Sequence, residues 1–420
     1  MEPSSVPVSA LTRDCLIHIF SLLEADDLRQ VSQVNEAWNE AADTPWLWRR
    51  LCLERWIFCN LSKVDDGINS WKKYYLHRSK IEQRMASGRG RADYTCTTFR
   101  GHSGRITGLQ YCSNPDNQFE ARAWKSVVCT TSTDCTLRAW SIQEGKQLWS
   151  TPVQEEPLVK LSTLPQQGLV ITADAKGNIK LWNGQTGEEL AVFATSCTIC
   201  NLVTYNMEDQ HCLTVLRTEY LMDCLDDDRL PVDALYVNNC YTACWLPKAP
   251  SRVVTVTNNN AMVSQKSIIT LNVCQKRKHK PEIQGEQVGS FTYEEAGRND
   301  ILIEGHGSNT IIIAHNTKMK LFSIDGVHLA SFHDHNGTIS GISLDPFRVV
   351  TASMDLSLRV YTWKRQSNKC LHLESNYHLL GGSHMKSRGF TSVVCDYVSI
   401  VGAVETKDGK DVLKAYNFSM

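Results

Sequence analysis

The sequence lacks the long apolar segments that membrane proteins carry. No run of about twenty apolar residues occurs in its 420 residues, so no membrane-spanning helix is predicted. The N-terminus, MEPSSVPVSALTRD, has no apolar run behind a basic start, which argues against a signal peptide. Without a secretory signal, the 16 cysteines are interpreted as reduced thiols of a soluble cytoplasmic or nuclear protein.

An excess of charge of either sign is also missing. The 44 lysine and arginine residues nearly balance the 45 aspartate and glutamate residues, for a net charge of −1. Bulk binding to nucleic acid needs a strongly basic face that displaces counterions. We therefore expect neither nucleic acid nor a membrane as a partner.

Catalytic motifs are absent as well. The sequence has no His-Glu-x-x-His helix, no Gly-x-Ser-x-Gly elbow and no phosphate-binding loop. Cys197 and Cys200 form half of a metal or redox motif, but no second pair lies at zinc spacing. A site that adds His211 and Cys212 is a minor alternative to buried thiols. The sequence predicts a protein that is not an enzyme and has no cofactor, catalytic residue or metal site.

Residues 11 to 51 carry apolar side chains at three- and four-residue spacing, which predicts three short amphipathic helices. Domains this small are marginal alone, and more large apolar side chains are present than three short helices can bury. The surplus indicates an interface. The side chains concerned are Leu11, Leu16, Ile19, Phe20, Leu23, Leu28, Val31, Val34, Trp38, Leu47 and Trp48.

The order and spacing of these residues resemble the F-box, the segment that docks on the Skp adaptor of Skp–cullin–F-box ubiquitin ligases. The resemblance implies that the same eleven side chains bind the adaptor. One departure is Thr12, which stands where the family usually has proline and puts the strength of adaptor binding in doubt. The alternative is a helical cap that packs on a second domain.

Residues 71 to 91 contain seven lysine and arginine residues and one acid, Glu82. This composition predicts a solvated spacer helix within a basic linker. The alternative is a helix that touches nucleic acid or an acidic partner.

The remaining sequence repeats with a period of about forty residues. TTSTDCTLRAW (130–140), ITADAKGNIKLW (171–182) and TASMDLSLRVY (351–361) share small polar, turn and aromatic residues at the same offsets. Such short β-branched copies predict the blades of a β-propeller. Seven copies end at residues 140, 182, 224, 271, 322, 361 and about 416, which predicts seven blades, with six or eight as alternatives. YTCTTF (94–99) is expected to pair beside the C-terminal strands and close the ring.

The copies resemble the WD-repeat family, in which a loop histidine, a strand Ser or Thr, a turn aspartate and a strand tryptophan form a structural hydrogen-bond network. The first copy offers His102, Ser132 or Thr130, Asp134 and Trp140, and the second offers Trp182. The sixth copy offers His335, Ser353 or Thr351, and Asp355, with Tyr361 in place of tryptophan. None of these residues is expected to be catalytic.

The predicted fold class is therefore α plus all-β: a three-helix F-box, a helical linker and a seven-bladed β-propeller. The predicted segments are a flexible N-terminus (1–10), the F-box (11–56), the basic linker (57–93) and the propeller (94–420). This arrangement resembles the F-box/WD-repeat family, and its F-box/WD-repeat protein 12 subgroup in particular.

The resemblance implies a non-catalytic substrate-recognition subunit of a Skp–cullin–F-box ubiquitin ligase. Its partners would be the Skp adaptor, through it a cullin–RING ligase, and an unidentified protein substrate on the propeller. Two alternatives are a WD-repeat scaffold that recruits no ligase and an adaptor-binding protein that has lost its target surface.

Overall fold

The computed structural model describes residues 11–56, 70–113, 126–194, 199–207, 210–217, 237, 240–258, 265–277, 281–294, 301–365 and 371–419. The chain divides into two compact units. The first comprises residues 1–84 and 115–124, and the second comprises residues 85–114 and 125–420. Each unit is described by itself below.

The first unit is helical, and local sequence signals set where its helices begin. The Thr12 hydroxyl accepts a hydrogen bond from Cys15 N at the start of the first helix, and the Asn35 side chain accepts one from Trp38 N, 2.9 Å away, at the start of the third. The helices are α1 (Arg13–Phe20), α2 (Ala25–Val31), α3 (Glu36–Ala42), α4 (Pro45–Arg55) and α5 (Trp71–Ser87).

The expectation of three helices in the F-box segment is wrong, because four helices lie between Arg13 and Arg55. The turn that Asp43-Thr44-Pro45 predicts is present at Asp43 and Thr44, and a fourth helix, α4, starts directly after it at Pro45. Proline suits this first helical position, since its fixed φ matches the helix and its missing N–H would have no partner there. The aromatic residues after Pro45 therefore lie on a helix.

The second unit is a six-bladed β-propeller, in which each blade is a four-stranded antiparallel sheet. Blade 1 has β2 (Ile106–Tyr111), β3 (Val127–Ser132), β4 (Leu137–Ser141) and β5 (Lys146–Ser150); blade 2 has β6 (Leu158–Leu164), β7 (Leu169–Asp174), β8 (Ile179–Asn183) and β9 (Glu189–Phe193). Blade 3 has β12 (Cys240–Leu246), β13 (Ala249–Asn258), β14 (Lys266–Arg277) and β15 (Pro281–Tyr293); blade 4 has β16 (Leu302–His306), β17 (Thr310–His315), β18 (Lys318–Ser323) and β19 (His328–Phe332). Blade 5 has β20 (Ile339–Leu344), β21 (Arg348–Ser353), β22 (Ser357–Arg365) and β23 (Leu371–Leu380); blade 6 has β24 (Ser387–Cys395), β25 (Ser399–Thr406), β26 (Val412–Asn417) and β1 (Thr95–Phe99).

The prediction of seven blades is wrong. Six of the seven predicted copies end in the third strand of a four-stranded blade, and the exception is the copy at residues 213–224. In the part of the chain that the structure describes, this region supplies a two-stranded sheet, β10 (Ile199–Met207) with β11 (Gln210–Arg217). This copy has Cys224 at the position of the aromatic residue. In blades 1 and 2 the residue at that position is a tryptophan, and its indole N–H donates to a threonine hydroxyl on the neighbouring strand.

The predicted ring closure is confirmed. β1 pairs antiparallel with β26, with Thr95 opposite Asn417 and Phe99 opposite Leu413. Behind this pairing, a buried apolar cluster joins blade 1 to blade 6, so the first and last strands of the chain's propeller share one core. Its members are Phe99, Ile106, Leu109, Tyr111, Val128, Trp140, Ile142, Val394, Val401, Ala403, Leu413 and Ala415.

Candidate functional site

Helix α1 of the first unit has two apolar faces. Leu16 and Phe20, four residues apart, are buried in the unit. Three apolar side chains at and beside this helix remain exposed: Ile19 on α1 (44%), Leu11 two residues before α1 begins (37%) and Leu22 two residues after it ends (79%). We call Leu11, Ile19 and Leu22 the α1 face.

The remaining predicted adaptor-binding residues separate by burial. Leu28, Leu47 and Trp48 are fully buried, so with Leu16 and Phe20 they form the module's own core. Leu23, Val31 and Trp38 are half-buried, and Val34 is 57% exposed. Leu22 is the most exposed large apolar residue of the module, and the sequence prediction missed it.

Trp48 shows why the buried members are structural. Its indole N–H donates to the Ala42 carbonyl oxygen over 2.8 Å, and its ring lies edge-on to Tyr75. A buried side chain of this size contributes roughly 3–5 kcal/mol to stability when compared with alanine. A partner protein could reach Trp48 only if the module unfolded.

In blade 1 of the second unit, a hydrogen-bonded chain links four side chains. His102 Nδ1 lies 2.9 Å from Asp134 Oδ2, and His102 Nε2 lies 2.7 Å from Thr130 Oγ1. Trp140 Nε1 donates to the same Thr130 oxygen over 2.8 Å. The hydroxyl in the chain is therefore that of Thr130, whereas Ser132 Oγ accepts from Asp134 N at the turn.

The direction of each bond in this chain follows from the charge of Asp134. Burial alone would raise the pKa of Asp134, but hydrogen bonds from His102 and Thr136 hold that pKa well below its usual range. An ionised carboxylate only accepts, so His102 Nδ1 donates to Asp134, while Nε2 bonds to the Thr130 hydroxyl, which accepts from Trp140. Every polar atom is then paired, which fixes this arrangement of strands and loop.

Blade 5 repeats the arrangement with a tyrosine. His335 bridges Asp355 Oδ2 at 3.0 Å and Thr351 Oγ1 at 2.7 Å, while Ser353 Oγ donates to the Gly337 carbonyl oxygen. Tyr361 is buried and its hydroxyl bonds to Thr351. Thus Thr351, and not Ser353, is the strand hydroxyl of this chain. Burial would raise the pKa of Asp355, but hydrogen bonds from Ser357, Asn336 and His335 lower it to about 2.

Blade 2 keeps only part of the network. Trp182 Nε1 donates to Thr172 Oγ1 over 2.8 Å. Asp174 stabilises the turn by accepting from the backbone N–H groups of Lys176 and Asn178. The candidate thiol site of Cys197, Cys200, His211 and Cys212 lies outside the described side chains.

Comparisons with known proteins agree with both units. Residues 13–54 match the F-box-like family model, and residues 94–141 match the model of the WD domain, G-beta repeat. The chain carries the two domains of an F-box/WD-repeat protein. It is 29% identical to F-box/WD repeat-containing protein 12 of Homo sapiens, over 96% of this chain and 98% of that protein. It is 24% identical to F-box/WD repeat-containing protein 15 of Mus musculus, over 96% of this chain and 97% of that protein.

A solved structure supports the fold of the second unit. The WD40 β-propeller domain of Doa1 superposes with a TM-score of 0.50 at 14% identity, covering 77% of this chain and 96% of that domain. The chain therefore combines a helical F-box-like module with a propeller of the WD40 type. Among the helices in the described part of the chain, none has the length and hydropathy of a membrane span.

Proposed function

We propose that this F-box/WD-repeat protein is the substrate-recognition subunit of a Skp–cullin–F-box ubiquitin ligase, and that it docks on the Skp adaptor through the α1 face. The observation that carries the proposal is the exposure of Ile19 on α1, and of Leu11 and Leu22 just beyond its two ends, while Leu16 and Phe20 of the same helix are already buried. Exposed apolar groups clustered on one surface are typical of protein interfaces.

The propeller is proposed to hold the protein substrate. Loops displayed on a rigid ring of blades keep their positions, which suits a binding surface. The subunit would act by proximity: a bound substrate has its lysines at high effective concentration beside a ubiquitin-charged enzyme. This role requires no bond chemistry from the chain's own residues.

The proposal is tested by measuring binding of the purified full-length protein to the Skp adaptor by biolayer interferometry. Leu22→Asp and Ile19→Asp should each weaken binding by about tenfold or more, because an apolar side chain buried at an interface contributes about 1.5–3 kcal/mol. Variants of Leu28 or Trp48 would be uninformative because both are core residues.

The matched control is Val327→Asp, which makes the same kind of change at a 60% exposed residue of the propeller. It should bind the adaptor like the wild type, and circular dichroism should show that all three variants are folded. If the wild type does not bind the adaptor, the protein is a WD-repeat scaffold that recruits no ligase. If the wild type binds and the α1-face variants bind equally well, the adaptor uses another surface.

A further inference from the structure

Helix α5 carries a row of basic residues along one side. Lys73, His77, Lys80 and Arg84 follow one another at separations of four, three and four residues, which places them on one face. Lys73, His77 and Lys80 are exposed, and Arg84 is half-buried. No acidic residue of the helix shares this face. We call these four residues the α5 stripe, and all of them belong to the first unit.

The other charged residues of α5 already have partners within the module. Lys72 pairs with Asp43, and Glu82 pairs with Arg55 at 3.0 Å. Arg78 is buried, donates to the Tyr74 hydroxyl and lies over the ring of Trp56. The charges that face the module are thus satisfied by folding.

Three of the four residues of the α5 stripe lack such partners. Within the described residues, the side chains of Lys73, His77 and Lys80 form no ion pair or hydrogen bond. Like charges three and four residues apart on a helix are destabilising by a few tenths of a kcal/mol for each pair. The pKa of His77 is lowered by partial burial of its ring, and then by the positive charges of Arg84 and Lys80. An opposite charge placed along this face would relieve the repulsion.

We propose that the α5 stripe docks an acidic segment of a partner protein. The stripe is about 16 Å long, given a rise of about 1.5 Å for each of the eleven residues from Lys73 to Arg84. Its basic groups are spaced about 5–6 Å apart, which matches the spacing of acidic side chains three and four residues apart on a helix. A single acidic helix or short acidic segment can therefore meet all four positions.

Nucleic acid fits this surface less well. Duplex DNA carries a charge every 1.7 Å or so, and proteins that bind it well make roughly 6–10 phosphate contacts. The stripe offers four positions, and residues 11–56 of the same unit contain eight acidic and five basic residues. A long polyanion would meet repulsion beyond the stripe, whereas a short acidic segment would not. The inference does not depend on adaptor binding.

The test uses fluorescence anisotropy with the full-length protein and a labelled alanine-rich peptide whose four glutamates have the spacing of the stripe. The peptide with glutamines in place of the glutamates serves as the negative probe. In low-salt buffer the wild type should bind the glutamate peptide. The double variant Lys73→Gln, Lys80→Gln should bind about fivefold more weakly, since each exposed ion pair contributes a modest amount.

The control Lys146→Gln, Lys176→Gln removes the same charge from the propeller, where each lysine pairs with a nearby glutamate. It should bind the peptide like the wild type. In a second readout, NMR titration of the His77 ring should show its pKa rising when the glutamate peptide binds, because negative charge favours the protonated ring.

Three outcomes would overturn the proposal. One is failure of the wild type to bind the glutamate peptide. Another is equal binding by the stripe variant and the propeller control. The third is tighter binding of a short DNA duplex than of the peptide, with that binding lost in the stripe variant, which would make the surface a nucleic-acid site. Skp adaptor binding, measured in parallel, should be unchanged by the stripe variant, so failure of this proposal is distinguishable from failure of the proposed function.

Discussion

Glu304 offers a quantitative test of the propeller's interior. It lies on β16, the first strand of blade 4, between the buried residues Ile303 and Gly305. In the described parts of the chain it forms no ion pair, and burial raises its pKa to about 7. In the unfolded chain the pKa is near the ordinary value of 4.5. The folded state thus binds the proton more tightly, and the propeller loses stability as the pH rises through this window.

Glu304→Gln replaces the acid by a neutral group of the same shape. A pKa difference of about 2.5 units corresponds to about 3 kcal/mol at 1.36 kcal/mol for each unit. Above pH 7 the variant should therefore be more stable than the wild type by up to about 3 kcal/mol. For a cooperative unit of roughly 330 residues this is an increase in Tm of about 4 °C. Near pH 4.5 both side chains are neutral in the folded state and the two Tm values should nearly coincide.

Differential scanning fluorimetry at pH 8 and at pH 4.5 measures both differences. The control is Glu286→Gln on β15, where the side chain is exposed, and it should leave Tm unchanged at either pH. A Tm gain for Glu304→Gln that is equal at the two pH values would refute the argument, because the effect would then come from packing and not from ionisation. A lower Tm at pH 8 would show that Glu304 has a partner that stabilises its charged form.

The remaining predictions concern single contacts in the propeller. Thr130→Val should reduce the free energy of unfolding by about 2–4 kcal/mol in urea denaturation, since two buried groups lose their partner, whereas Ser132→Ala should cost about 1 kcal/mol; the reverse ranking would contradict the assigned network. Gly88→Ala should lower stability by about 2 kcal/mol or more, because φ is +58° and the new Cβ would lie 2.5 Å or less from ring atoms of Tyr377. Gly90→Ala, at a similar φ but with open space around it, should cost only about 1 kcal/mol in the same thermal melts.

The repeat pattern was sufficient to predict a propeller and the closing strand, but not the number of blades. Strand alternation and a period of about forty residues survive in blade 2, which keeps only part of the polar network. They do not show whether a weak copy forms a complete sheet. The copy at residues 213–224 has an alternating strand without the aromatic residue, and within the described residues that region gives two strands.

The choice between Thr130 and Ser132 could not be made from the sequence for a geometric reason. Residues two apart on a strand point to the same side, so both hydroxyls fit the repeat equally well. Strand register decides: Trp140 lies opposite Val128, and its indole reaches diagonally to Thr130. Register depends on the turn that joins the strands, which a count of offsets does not reveal.

The F-box residues were identified by spacing, but spacing alone did not separate core from surface. Both faces of α1 are apolar, and a periodic pattern assigns all such residues to one set. Packing separates them, because Leu16 and Phe20 are buried and the ring of Phe20 lies edge-on to Trp38 of α3, whereas Ile19 remains exposed. The exposed residues, Ile19 and Leu22 among them, are then available for a partner.

The boundary between the two units has a consequence for the propeller. The second unit begins at Met85, so it includes the last turn of α5 as well as β1. The Met85 carbonyl oxygen accepts from the Tyr377 hydroxyl over 2.7 Å, and the Ala86 carbonyl oxygen lies 3.5 Å from Asn376 Nδ2. Side chains of β23 therefore satisfy the last carbonyl groups of α5.

A propeller fragment that began at the first repeat, at Gly101, would lose these contacts with α5 and also the fourth strand of blade 6. Blade 6 would then present β26 as an open edge, and the apolar cluster it shares with blade 1 would lose Phe99. The residues just before Gly101 are therefore part of the propeller's structure.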